Sequence, residues 1–478
     1  MWGRNSELSD LNKLLTKETS SLVVIKGRRR IGKSTLIEFF GSQKGQLFFE
    51  FSGLAPRPKQ TNQDQLNQFT FQFNEQFKTK NPNFSDWNEA FSELASHTNK
   101  KKKTVVLLDE ISWMGNHDPD FSGKLKVVWD TKFKKNNNLI LVLCGSVSTW
   151  IQKNILNSTN FVGRVSRDIT LNELPLNVVS KFWKEWGAKV SSYEKLRLLS
   201  VIGCIPKYLE EINPAISTDE NIQDLCFRPS GFLHDEFNKI FSDIFGKKTK
   251  TYKKIITCLV NKNLSAAEIA KKLQLKLATS LLDDLKDLEI AGFLSRDYRF
   301  EIGSKKARVS TFRIKDNFLR FSLKYIEDTK VRSKALNSEF TTLEMLSNWH
   351  SIVGFQIENL VYNHITEFLE EMNLSANLII SASPYFQSKT THNNGACQID
   401  LLIQTTDQNA YICEIKFQRR IDSKIIKEVE NKISKMTKKR NWSYRPVLIY
   451  EGEIDPNDSH KIQSYFTKII RIGSLVDK

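Results

Sequence analysis

Apolar residues fall along this chain in two patterns, continuous short runs and runs with helical gaps. Leu22, Val23, Val24 and Ile25 form one continuous run, Val105, Val106, Leu107 and Leu108 a second, and residues 139–144 a third. Runs of this length predict strands covered on both faces, as in a parallel sheet. Leu8, Leu11, Leu14 and Leu15 instead recur at helical spacing. So do Phe69, Phe73 and Phe77, which predict a helix with one buried stripe within a polar region rich in Gln, Asn and Phe. Strands alternating with helices imply a mostly parallel sheet with ligands at the carboxyl ends of its strands.

Further along, residues 176–243 read as helical. A helix over 252–260 is followed by Ser265 and Glu268, a capping box that opens a helix over 267–273, and then by a longer helix over 277–291. Strand patterns at 292–296 and 308–314 flank a basic turn carrying Lys305, Lys306 and Arg308. Three helices and a hairpin predict a winged helix-turn-helix. Its third helix carries Asp283, Asp284, Asp287 and Glu289, a face that repels phosphate. Two readings stay open: DNA contact through the basic wing, or packing between domains. The last region has a helical pattern over 349–368, with Glu358 among Phe355, Leu360, Val361 and Ile365. Strand patterns follow at 398–403 and 410–417, then a helix over 423–435 rich in Lys and Glu.

Composition narrows the partners. Lys and Arg number 71 against 54 Asp and Glu, a net charge of +17 over 478 residues, enough for three or four domains. Such an excess points to a polyanion, most often nucleic acid, or else to a solubilising lysine-rich surface. The six cysteines, Cys144, Cys204, Cys226, Cys258, Cys397 and Cys413, are scattered with no C-x-x-C pair. They suit reduced, buried thiols in a cytoplasmic protein, not a disulfide or zinc framework. No run has the length of a membrane span, and the first residues enter an amphipathic segment without an apolar signal region.

The chemistry concentrates in two places. Between the first strand and the helix after it stand Gly27, Arg28, Arg29, Arg30, Ile31, Gly32, Lys33 and Ser34, the pattern G-x-x-x-x-G-K-S, followed by Thr35. Glycines there bring backbone N–H groups to phosphate oxygens, and the helix N-terminus adds more donors. Lys33 can reach the β- and γ-phosphates, and Ser34 can ligate Mg²⁺. The strand 104–108 ends in Asp109 and Glu110, the first a metal ligand, the second a base or orienter for the attacking water. Ser146, past the third strand, either senses the γ-phosphate or starts the next helix. Arg164 and Arg167 are either arginine fingers or structural. Arg28, Arg29 and Arg30 either hold phosphates or face a lid. The second place is the last region, where strand residues Asp400, Glu414 and Lys416 interrupt apolar runs. Asp400 and Glu414, joined by Glu358, offer hard oxygens to Mg²⁺, and Lys416 can orient a water or meet developing charge.

Gly3-Arg4, the loop reading G-R-R-R-x-G-K-S, and Leu108-Asp109-Glu110 together resemble the prokaryotic AAA-type/STAND-like ATPases, although Asn5 stands where that family usually has Glu. Gly203, Pro206 and Lys207 resemble the family's G-x-P motif, which sets a helical lid over the nucleotide. Asp400 with the later Glu414-x-Lys416 and the upstream Glu358 resembles the PD-(D/E)XK nuclease superfamily. The domain order, with residues 313–321 as a junction, resembles a subgroup of these ATPases. The resemblance implies a P-loop ATPase core over 1–175, a helical lid over 176–246, a winged helix over 247–332 and an α/β restriction-endonuclease-like domain over 333–478. It also implies ATP and Mg²⁺ as cofactors, DNA as partner, and self-association through the ATPase domains. Two functions are expected: an ATPase whose nucleotide state gates DNA cleavage, or an ATP-driven oligomeric switch that binds DNA or protein without cutting.

Overall fold

The three apolar runs of the first 171 residues become the strands β1 (Ser21–Gly27), β3 (Thr104–Asp109) and β4 (Leu139–Gly145), and β2 (Leu47–Ser52) and β5 (Val165–Leu171) complete a parallel sheet of five. Their order in the sheet is β2-β3-β4-β1-β5. In this computed structural model the described residues are 2–79, 83–146, 148–185, 187, 189–327, 342–387 and 395–477. They form two units, Met1–Asn172 with Asn238–Thr249, and Glu173–Phe237 with Lys250–Lys478.

In the first unit β3 and β4 are buried along their whole length, which is why they are unbroken apolar runs. One sheet face sets Leu22, Val106, Leu108, Leu141 and Leu143 against aromatic residues of three helices, Asn62–Phe77, Trp87–His97 and Phe121–Thr131. Phe69 and Phe73 are the buried stripe of the first helix, and Phe77 is half-buried beside them. The Phe69 ring lies 4.6 Å from Phe51 on β2. The same helix covers the sheet edge. The Gln72 amide bonds the backbone N–H and C=O of Ser52, and the Gln76 amide does the same for Glu50. A strand edge that would otherwise offer free backbone groups to another chain is thereby satisfied.

The second unit contains three helices, Thr249–Cys258, Ala266–Lys272 and Thr279–Ile290, and an antiparallel hairpin of β6 (Leu294–Phe300) and β7 (Ala307–Ile314). Leu264 adds a single bridge to Phe312. The Ser265/Glu268 capping box is present. Of the four acids on the third helix, Asp287 is buried and accepts a hydrogen bond from the Tyr252 hydroxyl (2.9 Å). A second sheet follows: β8 (Ile379–Gln387), β9 (Cys397–Thr405), β10 (Asn409–Ile421), β11 (Ser443–Ile454) and β12 (Lys468–Arg471), in the order β12-β11-β10-β9-β8. It is antiparallel from β8 to β10 and parallel from β10 to β12. The helix Lys424–Lys435 lays Ile425 and Val429 on it.

One expectation needs adjusting. The helix read over 349–368 is two helices, Trp349–Asn363 and Ile365–Glu371, because His364 leaves helical geometry (ψ 25°) and its side chain turns to Glu367. The first unit ends at Asn172 and takes in Asn238–Thr249. The expected boundary at 332 lies outside the described residues. Among the described residues, no helix is long and apolar enough to cross a membrane.

Phe73 is fully buried and Phe71, two residues away on the same helix, is 62% exposed. Phe73→Ala is expected to cost about 3–5 kcal/mol of stability, and Phe71→Ala less than about 0.5 kcal/mol. Urea denaturation of the two variants followed by tryptophan fluorescence checks the contrast; equal effects would contradict the core described.

Candidate functional site

The phosphate loop leaves β1 at Gly27, whose φ is 151° and where a Cβ would come within 2.6 Å of the Leu171 carbonyl oxygen. No side chain fits there, so the glycine is required by close packing of the backbone on β5. Arg30 (φ 72°) and Gly32 (φ 84°) take left-handed conformations that fold the loop back onto the helix Lys33–Gly41. The buried Lys33 ammonium donates to the carbonyls of Gly27 and Arg28, both at 3.2 Å. Ile31 sinks its side chain into the interior, and its carbonyl accepts from the buried guanidinium of Arg4 (3.0 Å). Arg4 also reaches the carbonyl of Asn172 (2.9 Å). The arginine of the opening Gly-Arg pair therefore braces the loop. Arg28 is buried, Arg29 pairs with Asp243 on the helix Glu236–Phe245, Arg30 is half-buried and Thr35 is exposed.

Three strand ends meet beside the loop. The Ser34 hydroxyl donates to Asp109 Oδ2 at 2.7 Å, and Asp109 Oδ1 accepts the N–H of Glu110 (2.9 Å). Glu110 has φ 47°, and its carboxylate accepts both the N–H (3.1 Å) and the hydroxyl (2.8 Å) of Ser146. Ser146 thus acts on the acid expected to handle water. β4 lies between β1 and β3, so its end necessarily falls between the loop and the two acids. Ser34 and Asp109 present two hard oxygens at hydrogen-bond distance, a donor set that fits Mg²⁺. Glu50 on β2 went unnoticed in the sequence; burial, Asp109 and Glu38 push its carboxyl above the usual range. Of the two arginines, Arg164 is engaged by Asp130 through two 2.8 Å bonds, which pull the Asp130 carboxyl down to about 2. Arg167 is exposed.

In the second unit Lys207 pairs with Glu211 (2.7 Å), next to the turn set by Gly203 (φ 68°) and Pro206. The other expected residues gather around the end of the β9/β10 ladder. Asp400 Oδ2 accepts the N–H of Ile415 (2.9 Å). Glu414 is fully buried and takes Lys416 Nζ at 2.9 Å. Glu358 reaches the site from the helix Trp349–Asn363, bridged by Tyr362, whose hydroxyl lies 3.4 Å from Glu358 Oε2 and donates to the Asp400 carbonyl (2.6 Å). Burial, then mutual repulsion with Asp400, pushes Glu358 up to about 8 and Glu414 up to about 7; burial raises Asp400 too. Burial opposes the charge on Lys416, but Glu414 and Glu428 outweigh it and hold the ammonium above its ordinary value.

Two further residues complete this cluster. Lys432 places Nζ 2.5 Å from Glu414 and 3.7 Å from Asp400, and Glu428 sits 2.9 Å from Lys416. Both lie on the helix Lys424–Lys435, one turn apart. Their i, i+4 spacing was visible in the sequence, but not which face of the helix meets the sheet. Asp400 and Glu414 share one ammonium between them, so the donor set also fits a divalent cation, with Lys432 as its competitor. The segment 313–321 secures the helix that bears Glu358. Asn317 and Gln356 exchange side-chain to backbone bonds (3.1 and 2.8 Å), Asn359 bonds the carbonyls of Ile314 and Lys315, and Arg313 pairs with Asp297 and Asn359.

Residues 2–212 match the family model described as an ATPase domain predominantly from Archaea. An uncharacterised protein of Methanocaldococcus jannaschii is 25% identical over 420 residues, 87% of each chain. Among solved structures, the Walker-type ATPase of Pyrococcus abyssi aligns at 16% identity with a TM-score of 0.45, covering 68% of this chain and 96% of that one. The ORC2 protein of Aeropyrum pernix aligns at 14% identity with a TM-score of 0.41, covering 69% and 94%. The parallel sheet, the loop geometry and the family match agree: the N-terminal unit has the fold and the nucleotide loop of a P-loop ATPase.

Proposed function

We propose that this chain binds and hydrolyses ATP with Mg²⁺, and that its nucleotide state gates a PD-(D/E)XK nuclease-like site acting on DNA. In this reading residues 1–175 are the ATPase core, 176–246 a lid, 247–332 a winged helix and 333–478 the nuclease-like domain of a cytoplasmic protein. Lys33 would exchange the Gly27 and Arg28 carbonyls for β- and γ-phosphate oxygens. Ser34 and Asp109 would hold Mg²⁺, which neutralises phosphate charge. Glu110 would accept the proton of the attacking water, with Ser146 setting its orientation beforehand. In self-association through the ATPase units, a trans-acting arginine would be Arg167, since Arg164 is tied to Asp130.

Asp400, Glu414 and Glu358 would hold the metal of the second site, and Lys416 would orient the nucleophilic water. The observation that carries this half is the convergence of three carboxylates, Asp400 and Glu414 buried at the end of the β9/β10 ladder and Glu358 brought beside Asp400 through Tyr362, a set of hard oxygens suited to a cation. The net charge of +17 and the exposed Lys305 and Lys306 of the hairpin turn favour a polyanionic partner. Lys432 favours a second reading. Its ammonium already bridges Glu414 and Asp400, and a site neutralised in this way suits an ATP-driven oligomeric switch that binds DNA or protein without cutting.

Lys33→Ala is expected to abolish ATP binding, whereas Glu110→Gln should bind ATP and turn over about 100-fold or more slowly; unchanged turnover in Glu110→Gln removes it from the mechanism. Asp400→Ala should end Mg²⁺-dependent plasmid cleavage, while Lys33→Ala should still cut but no longer respond to ATP. Absence of cleavage on every DNA form tested rejects the nuclease; a monomer with and without a non-hydrolysable ATP analogue, together with cutting, rejects the switch. Glu414 and Glu358 must also shed protons held up to about 7 and about 8 before they can ligate. Calorimetric Mn²⁺ affinity at this site should therefore strengthen from roughly pH 6 to roughly pH 9; a flat profile would contradict their role as ligands.

A further inference from the structure

Three segments of the second unit, distant in sequence, bring Glu173, Cys204 and His364 together. Glu173 follows β5, Cys204 lies in the turn between Gly203 and Pro206, and His364 stands at the break between the helices Trp349–Asn363 and Ile365–Glu371. The Cys204 sulfur, a His364 ring nitrogen and a Glu173 carboxylate oxygen all lie within 4.8 Å of one another. The setting is interior: Cys204 is fully buried and His364 is 6% exposed.

The imidazole is held in one orientation. Its Nδ1 donates to Glu367 Oε1 at 3.0 Å, and Glu367 is itself fixed by the N–H groups of Leu176 (3.1 Å) and Asn177 (3.3 Å). With its proton on Nδ1, the ring directs the lone pair of Nε2 into the cluster. Nε2 is buried, makes no hydrogen bond, and is 4.0 Å from Glu173 Oε2. A buried nitrogen without a partner is costly unless something takes its lone pair. A carboxylate behind a histidine is also the arrangement by which proteins orient a metal-bound imidazole. Glu173 is positioned too, since Oε2 accepts the N–H of Cys204 (3.1 Å), while the Cys204 carbonyl accepts the N–H of Leu174 (2.9 Å).

We infer that Glu173, Cys204 and His364 form a zinc site that ties these three segments together. Sulfur and imidazole ligands select zinc over Mg²⁺ or Ca²⁺, which prefer all-oxygen sites. Zinc bonds sulfur at about 2.3 Å and nitrogen at about 2.0–2.1 Å, so the three atoms need draw in by only about 1 Å. On binding, the Cys204 S–H bond breaks, the proton leaves to solvent and a zinc–sulfur bond forms with no change of oxidation state. Water fills the fourth position. Residues 173, 204 and 364 are far apart in sequence, so the clip would close long loops of the unfolded chain.

The test uses the full chain loaded with Zn²⁺ or Co²⁺ and dialysed. One zinc per chain is expected by elemental analysis, retained in the Asp400→Ala/Glu414→Ala double variant, which removes the other cation site. The Co²⁺ form should show thiolate-to-cobalt charge-transfer absorption, lost in Cys204→Ser and weakened at least about 10-fold in affinity by His364→Gln. Should Cys204→Ser not fold, the wild-type chain still decides: a strong zinc chelator should lower its melting temperature by about 5 °C or more, and zinc should restore it. A cobalt form without the thiolate band, a band that survives Cys204→Ser, or a melting temperature indifferent to chelator and zinc would each overturn the inference.

Discussion

The hydrogen bond from the Ser34 hydroxyl to Asp109 depends on strand order. β1 and β3 are not neighbours in the sheet; β4 separates them, and all three run parallel with their carboxyl ends at one edge. In that arrangement a loop leaving β1 touches an acid at the end of β3, while Ser146, at the end of β4, takes the next acid. The full burial of β3 and β4 is the cost of putting them there, since both faces must be covered. The aromatic layer of three helices supplies one cover.

In the C-terminal sheet the constraint is charge. Burial pushes the carboxyls of Glu358, Asp400 and Glu414 up, and repulsion from Asp400 adds to it at Glu358 and Glu414. Lys416 and Lys432 offset this by pairing with Glu414, Lys432 reaching Asp400 as well. The helix carrying Glu358 cannot move away to relieve the repulsion, because Asn317, Asn359 and Gln356 tie it to the chain that precedes it. A rigid frame around like charges is a common way to hold a cation site ready for its ion.

The most legible parts were those written locally. Gly27 through Ser34 lie between a strand and a helix, and Asp109 and Glu110 end a strand, so adjacent residues were sufficient. Asp400, Glu414 and Lys416 stood out because charge interrupts apolar runs. What depended on packing was hidden. Ser146 had two readings until the strand order put it against Glu110. Lys432 and Glu428 looked like any pair on a charged helix until one face met the sheet. The break at His364 was masked by a helical pattern that continues through it. Glu173, Cys204 and His364 are far apart in sequence and come together only through the fold.

The buried guanidinium of Arg4 holds two carbonyls, one from the phosphate loop at Ile31 and one from Asn172, the last residue of the nucleotide unit before Glu173. Loop and exit peptide therefore share a single rigid fastening. The same guanidinium lies 3.5 Å from Glu7, so its charge keeps a carboxylate partner while its other nitrogen holds the two carbonyls. One side chain, fourth in the sequence and far from both in the chain, thus fixes where the loop lies and where the peptide after β5 leaves the sheet.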